Sequence, residues 1–362
     1  MPDKNNSPAD RKALTRTFEP KENPLSIYPN YRKALSGMEA AAGVLRYRLE
    51  EGPGSGMRIA EVYTAAGLRY SILLDRGMDI GAASFRGIPI AFVGKGGIMN
   101  AGSAAASQNF YRYFSGGLVY TCGLENLGEP CKTAEGVLPM HGSRTFLSAY
   151  DVSSSMEQEK GEQGKGRAVL RVRGKMRSAS LFGENILLTR EIVSGTENGS
   201  IEIFDTIENQ GSSAYDYMLL YHINFGFPFV SPDSTIRTNH RTVYYLETTS
   251  IPKEEKEYRC FTEPQKACPE STFEMHNCRG KELNAVLENP RLGLQAKVSC
   301  KIDELPCFTQ WVSMAEHDYA LGLEPGTHNP IGRVKAQAEG GLVHLERDEQ
   351  KSHSVSIVIT NR

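Results

Sequence analysis

The sequence has no run near the ~20 apolar residues that a membrane-spanning helix needs, so no membrane partner is expected. Its opening stretch, Met1 to Asp10, is polar and lacks the apolar centre of a secretory signal, which makes a cytoplasmic location the expectation. Charge of one sign is not in excess: 41 Lys and Arg stand against 43 Asp and Glu, for a net charge of -2. Without a basic field to collect phosphate backbones, nucleic acid is not an expected partner. The seven cysteines, Cys122, Cys131, Cys260, Cys268, Cys278, Cys300 and Cys307, are odd in number and lack paired spacing. They read as reduced and structural, and no metal is expected; His276, two residues before Cys278, comes nearest to a cluster but at spacings unlike a zinc site. No 20- to 50-residue repeat is present. Gly52-Pro53-Gly54-Ser55-Gly56 has no helix opening after it, so it reads as a turn and not a phosphate cradle.

Helical periodicity is scarce as well. A short helix is expected around Ala104 to Phe114, where Phe110 and Phe114 fall at i and i+4 before Gly116-Gly117. The Ala-rich stretch Ser36 to Leu49 has helix propensity, but the glycine-rich turn and alternating run after it favour a hairpin.

What the chain does have is 40% hydrophobic and 23% charged residues, enough for a sizeable core. Residues 1–43 read as an N-terminal tail or surface wrap, and 44–362 as one domain. Within the domain, short runs alternate apolar and polar residues with period two, the mark of half-buried strands. In Ser200 to Glu208, Ile201, Ile203, Asp205 and Ile207 share a face; in Ser354 to Thr360, Val355, Ile357 and Ile359 do. Further strands are expected at Leu45 to Leu49, Ile59 to Thr64, Arg69 to Leu74, Ile90 to Val93, Ala168 to Val172, Ile186 to Val193, Tyr217 to Ile223, Leu294 to Val298 and Tyr319 to Leu323. Pro252 to Glu282, rich in Lys and Glu, reads as an irregular surface excursion. The expected fold is all-β, a large antiparallel β-sandwich with few short helices.

Three segments join acid–base residues to strand ends. His141 lies in a turn-rich stretch before Gly142, with Arg144 three places on, which by itself reads first as a surface turn with incidental polar residues. In Tyr217 to Gly226, Met218, Leu220, His222 and Asn224 share one face, so an imidazole and an amide emerge together; a hydrogen-bonded core histidine is the alternative. In Tyr319 to Thr327 an apolar strand delivers Glu324 just before Pro325, and a carboxylate there needs water or a partner. Two histidines and a glutamate can act as acid and base near neutral pH. No activated Ser or Cys nucleophile accompanies them.

Four stretches carry a resemblance: Asp75-Arg76-Gly77-Met78-Asp79-Ile80, Gly116 to Asn126, Tyr221-His222-Ile223-Asn224-Phe225-Gly226 and Leu323-Glu324-Pro325-Gly326-Thr327. From about Val44 onward the chain resembles the galactose mutarotase-like superfamily, and within it an aldose 1-epimerase-related branch (DUF4432-like). The resemblance implies a monosaccharide or sugar derivative as ligand and interconversion of its anomers. Glu324 would take the proton of the anomeric hydroxyl, His222 would protonate the ring oxygen, and His141 would hydrogen-bond the sugar. An isomerisation transfers no net electrons, so no cofactor is implied. Arg76, Asp79, Glu125, Asn126, Arg144 and Asn224 are the implied substrate contacts. Arg76 and Asp79 could instead pin a turn as an ion pair, and Glu125-Asn126 could brace the glycine-rich loop. Two departures stand out: Glu125 occupies a position usually Asp in the branch, and its His-Gly-Arg is His141-Gly142-Ser143-Arg144 here. Trp311, the only tryptophan, could stack on a sugar face or pack in the core. A sugar-binding or sensing protein with the same cleft but no turnover is the alternative function.

Overall fold

A computed structural model describes residues 31–107, 109–134, 136–160, 166–245, 258–278 and 280–362. Most of the expected N-terminal tail lies outside the described residues. Strands β1 (Gly43–Arg48), β2 (Arg58–Tyr63), β3 (Leu68–Leu73), β4 (Asp79–Phe85) and β5 (Ile88–Pro89) form an antiparallel meander. The Ala-rich stretch is a hairpin arm as expected, preceded by one 3-10 turn, Met38–Ala40.

The meander joins β6 (Val119–Leu124), which pairs with the long central strand β13 (Tyr215–Gly226). Beyond it follow β20 (Asp318–Gly326), β19 (Cys307–Ala315), β16 (Ser271–Cys278) and β15 (His240–Tyr245), completing one large antiparallel sheet. The second sheet runs in the order β14 (Thr235–Thr238), β17 (Glu282–Asn289), β18 (Leu294–Lys301), β22 (Gln350–Asn361), β12 (Ser200–Asn209), β11 (Asn185–Gly195), β10 (Gly166–Ala179) and β9 (Tyr150–Lys160). Short strands β7 (Cys131–Thr133) and β8 (Gly136–Leu138) make a small hairpin, and β21 (Val343–Leu345) adds to β13.

Period two explains the layering. On β12, Ile201, Ile203 and Ile207 face β13 residues Leu219, Tyr221 and Ile223 across the core between the sheets. The intervening residues of β13, Met218 and Leu220, point the other way into a second apolar cluster with Tyr120, Cys122, Phe110 and Tyr113. Helices α1 (Tyr31–Ala34), α2 (Ala101–Ser107), α3 (Phe110–Tyr113) and α4 (Arg333–Ala338) are short. The expected helix over Ala104 to Phe114 is two pieces, because the Asn109 side chain accepts from Tyr111 N and starts a new turn. Phe110 and Phe114 still stack, with ring centroids 4.9 Å apart.

Two expectations are corrected. Ile90 to Val93 is not a regular strand: after Pro89 the chain makes only isolated bridges, Ala91 to Phe225 and Val93 to Gly116, as it crosses the end of β13. Pro252 to Glu282 contains β16, whose alternation of buried Phe273 and Met275 is obscured in sequence by its Lys/Glu-rich flanks.

Candidate functional site

The site is built where β6, β13, β20 and β19 lie side by side. Ile223 pairs with Leu323, so one residue along, His222 faces Glu324 across the β13–β20 ladder. Register also sets Tyr120 beside His222, Thr309 beside Glu324, Asn224 beside Gly322, and Trp311 beside Gly322. Cross-strand neighbours share a face, so these side chains stand together on the side away from the inter-sheet core.

His222 Nε2 lies 3.1 Å from Glu324 Oε1. The contact lacks hydrogen-bond geometry: Oε1, His222 Nδ1, Asn224 Oδ1 and the Tyr120 hydroxyl are all buried without a hydrogen-bond partner among the described residues. Buried polar groups are nearly always paired, and four orphans together are the signature of a place built for something else to bind. Gly322 leaves the room. A β-carbon there would come 2.6 Å from Glu324 Oε1 and 2.9 Å from His222 Cε1, so any side chain would fill the space over the pair.

His141 arrives from the loop after β8. Its backbone is left-handed, φ 57°, and Gly142 follows at φ 74°, where a β-carbon would stand 2.3 Å from Gly123 O. That tight turn aims the ring at His222, 6.1 Å away centroid to centroid. Gly128 N donates to His141 Nδ1 at 3.4 Å, so the neutral ring carries its proton on Nε2 and can donate there. Aromatic rings wall the site: Phe110 is 5.1 Å from His141, while Phe114 and Trp311 are 5.4 Å and 5.5 Å from His222. Trp311 is therefore neither a core residue nor free to swing, since its Nε1 donates to Glu270 Oε2 at 2.8 Å.

Burial sets the protonation states. It lowers His141 to about 4, and together with neighbouring His141 it lowers His222 to about 3. It also pushes the Glu324 carboxyl well above its ordinary range, with Glu270 adding to the effect. Both rings are thus neutral near pH 7, and of the two groups in contact burial favours the proton on Glu324 over His222.

The other expected contacts divide. Asn224 is at the site, its Nδ2 donating to Gly117 O and His222 O. Asn126 is spent on the surrounding loops: Nδ2 donates to Glu129 O and Pro139 O, and Oδ1 accepts from Arg333 N. Glu125 is held by Ser143, the residue that separates His141-Gly142 from Arg144. Asp79 and Arg144 are in the core between the sheets, not in the cleft. Arg144 sits 3.7 Å from Asp79 and 3.5 Å from Asp205, and Arg190 bridges Asp79 at 3.1 Å and Asp205 at 2.6 Å. The 3-10 turn Arg144–Phe146 carries the arginine inward, where it donates to Gly77 O. Nor do Arg76 and Asp79 form the alternative, an ion pair with each other. Arg76 instead donates to Met99 O at 2.6 Å and to Thr145 O and Oγ1 at 3.2 Å. His276 pairs with Glu274, and Cys278 accepts from Asn239.

The profile of a domain of unknown function, DUF4432, matches residues 54–359. No curated protein sequence matches. Among solved structures, a putative aldose 1-epimerase from Klebsiella pneumoniae superposes with a TM-score of 0.75 at 16% identity, over 92% of this chain and 90% of that one. A galactose mutarotase-like protein from Clostridium acetobutylicum gives 0.61 at 12% identity, over 89% and 100%. Galactose 1-epimerase from Lactobacillus acidophilus gives 0.56 at 11%, over 89% and 99%. At these identities the likeness is one of fold. With six-sevenths of its length under one family profile, the chain belongs to the DUF4432 family and has the galactose mutarotase-like fold.

Proposed function

We propose that the protein interconverts the anomers of a free sugar by acid–base catalysis, as an aldose 1-epimerase. The observation that carries this is the His222–Glu324 contact of 3.1 Å, buried, with orphaned polar atoms around it and Gly322 keeping the space above it open. The fold shared with a galactose 1-epimerase supports the same reading.

The pair holds one proton. Shifting that proton to His222, once the bound sugar brings the two groups into hydrogen-bond alignment, turns the resting form into a Glu324 carboxylate and a His222 imidazolium. The carboxylate takes the proton from the anomeric hydroxyl while the imidazolium gives its proton to the ring oxygen, and the bond between C1 and that oxygen breaks. Glu324 is then protonated and His222 neutral, the form that burial favours, so the site is suited to hold the open-chain aldehyde. Rotation about C1–C2 exposes the other carbonyl face. Closure returns both protons, with no net change. His141 Nε2–H donates to a sugar oxygen and helps hold developing negative charge.

One-dimensional NMR of freshly dissolved aldoses, with and without protein, tests this. Anomer exchange faster than the buffer control supports the proposal; saturable binding with no exchange for any sugar would make the protein a sugar sensor instead.

A further inference from the structure

The polar row across the first sheet does not end at Glu324. Thr309 on β19 pairs with Glu324 on one side and with Glu274 of β16 on the other, so Glu274 stands on the same face, two strands further out. It is 6% exposed, and a buried carboxylate needs partners. One is His276, whose Nε2 lies 3.0 Å from Glu274 Oε2; Oε1 has none among the described residues.

Asn329, in the loop after β20, reaches the same strip. Thr309 Oγ1 donates to its Oδ1 at 3.2 Å, which orients the amide and leaves both N–H groups of Nδ2 without a partner among the described residues. An unused acceptor and an unused donor therefore flank Thr309. Trp311, 5.5 Å from His222, stands two residues along β19 on that face.

The spacing suits a sugar. Two strand intervals put the backbones of Glu324 and Glu274 ~10 Å apart. A sugar whose anomeric hydroxyl bonds Glu324 carries its next two hydroxyls, at C2 and C3, one after the other along the same edge of the ring. Three successive hydroxyls, with a hydrogen bond of about 2.8 Å at each end, span a similar length.

We propose that this row reads the 2,3-diol of a neutral aldose, Asn329 Nδ2 donating to the 2-hydroxyl and Glu274 Oε1 accepting from the 3-hydroxyl. This rests on the reading of His222 and Glu324 as the pair that opens the ring. The second carboxylate sets the substrate class, because it accepts from hydroxyls and repels an acid or phosphate group on that side of the ring.

The test takes the full chain with glucose and galactose and with their 2-deoxy, 3-deoxy and 6-deoxy forms, reading binding and anomer exchange by NMR. The 2-deoxy and 3-deoxy sugars should bind about tenfold more weakly than their parents, and the 6-deoxy sugars within about threefold. Glu274→Met replaces a buried carboxylate by an apolar group of similar size, so its melting temperature should hold while affinity for both parents falls about tenfold. Against the 3-deoxy sugars it should cost nothing further, and against the 2-deoxy sugars the full factor; Asn329→Ala should show the reverse pattern. A merely structural role for either residue would weaken every sugar by one factor, and that outcome overturns the proposal. So does equal binding of parent and deoxy sugars by the wild type, or tighter binding of glucuronate or glucosamine than of glucose. Exchange without the deoxy pattern leaves the epimerase reading standing alone. The deoxy pattern in binding without any exchange does the reverse.

Discussion

Two neighbouring residues of β13 serve two different buried clusters. Tyr221 points between the sheets and donates to Asp205 Oδ2 at 2.8 Å, joining Asp79, Arg144 and Arg190. His222 points the opposite way, onto the face that carries Glu324. The first cluster is closed: Arg190 donates to both aspartates, to Thr121 Oγ1 and to backbone carbonyls, and only Arg144 Nε lacks a partner among the described residues. Burial works against its charges, but Arg190 and Arg144 hold Asp205 down to about 2. The second cluster is open, with four orphaned polar atoms and groups driven to their neutral forms. The same depth of burial locks charges where partners surround them and leaves groups poised where they do not.

The largest effect should come from opening the contrast at its reactive end. Glu324→Gln keeps shape but loses the proton acceptor, so catalysed anomer exchange should fall about a hundred- to ten-thousand-fold while sugar affinity changes little. Wild-type exchange in this variant would remove Glu324 from the mechanism. Next in size is a break in the closed cluster. Asp205→Asn leaves two buried arginines sharing one carboxylate and should cost ~3 kcal/mol or more in urea unfolding. A neutral result would show that the network contributes little to holding the sheets together.

How far each cluster could be read from sequence follows from what sequence encodes. His222 and Glu324 were legible because period two puts a strand's polar exceptions on a known face, and both sit where apolar strands end. Motif order placed His141 with them. It could not give the direction of Arg144, which the 3-10 turn Arg144–Phe146 carries into the core, nor separate Asp79 from Arg76. Arg190 and Asp205 carry a signal of their own: each interrupts an otherwise apolar face, Leu188 and Ile192 on β11, Ile203 and Ile207 on β12. Gly322 and Tyr120 had none, since a strand glycine or aromatic becomes part of a site only through cross-strand register.

A smaller effect sharpens the same comparison through stability. The folded protein holds a proton on Glu324 that the unfolded chain releases above its ordinary value near 4.3. The contribution of this group is fully present below that value and is lost as pH rises toward the raised folded value. At pH 7 the carboxyl is thus a liability, and Glu324→Gln should stabilise by about 1 kcal/mol, or ~2 °C in melting temperature. Asp205→Asn has the opposite sign. If both variants were destabilised alike, the two clusters would be one kind of structure after all.

The smallest expected effect is a flat line. If Glu324 and His222 titrated as solvated groups, the exchange rate would rise near pH 4.3 and fall near 6.5, giving a narrow bell. They instead share one proton: His222 gains a second only near its lowered value of about 3, and Glu324 gives up the first only above its raised one. Between those limits the number of protons on the pair is constant, and the carboxylate–imidazolium form is a fixed fraction of it whatever the pH. Catalysed exchange, corrected for the buffer reaction, should therefore stay level within about twofold across the interval where solvated groups would titrate, from about pH 4.3 to about pH 6.5. An observed limb inside that window would mean that water reaches the pair freely, and that the orphaned atoms around it are solvated instead of reserved for a ligand.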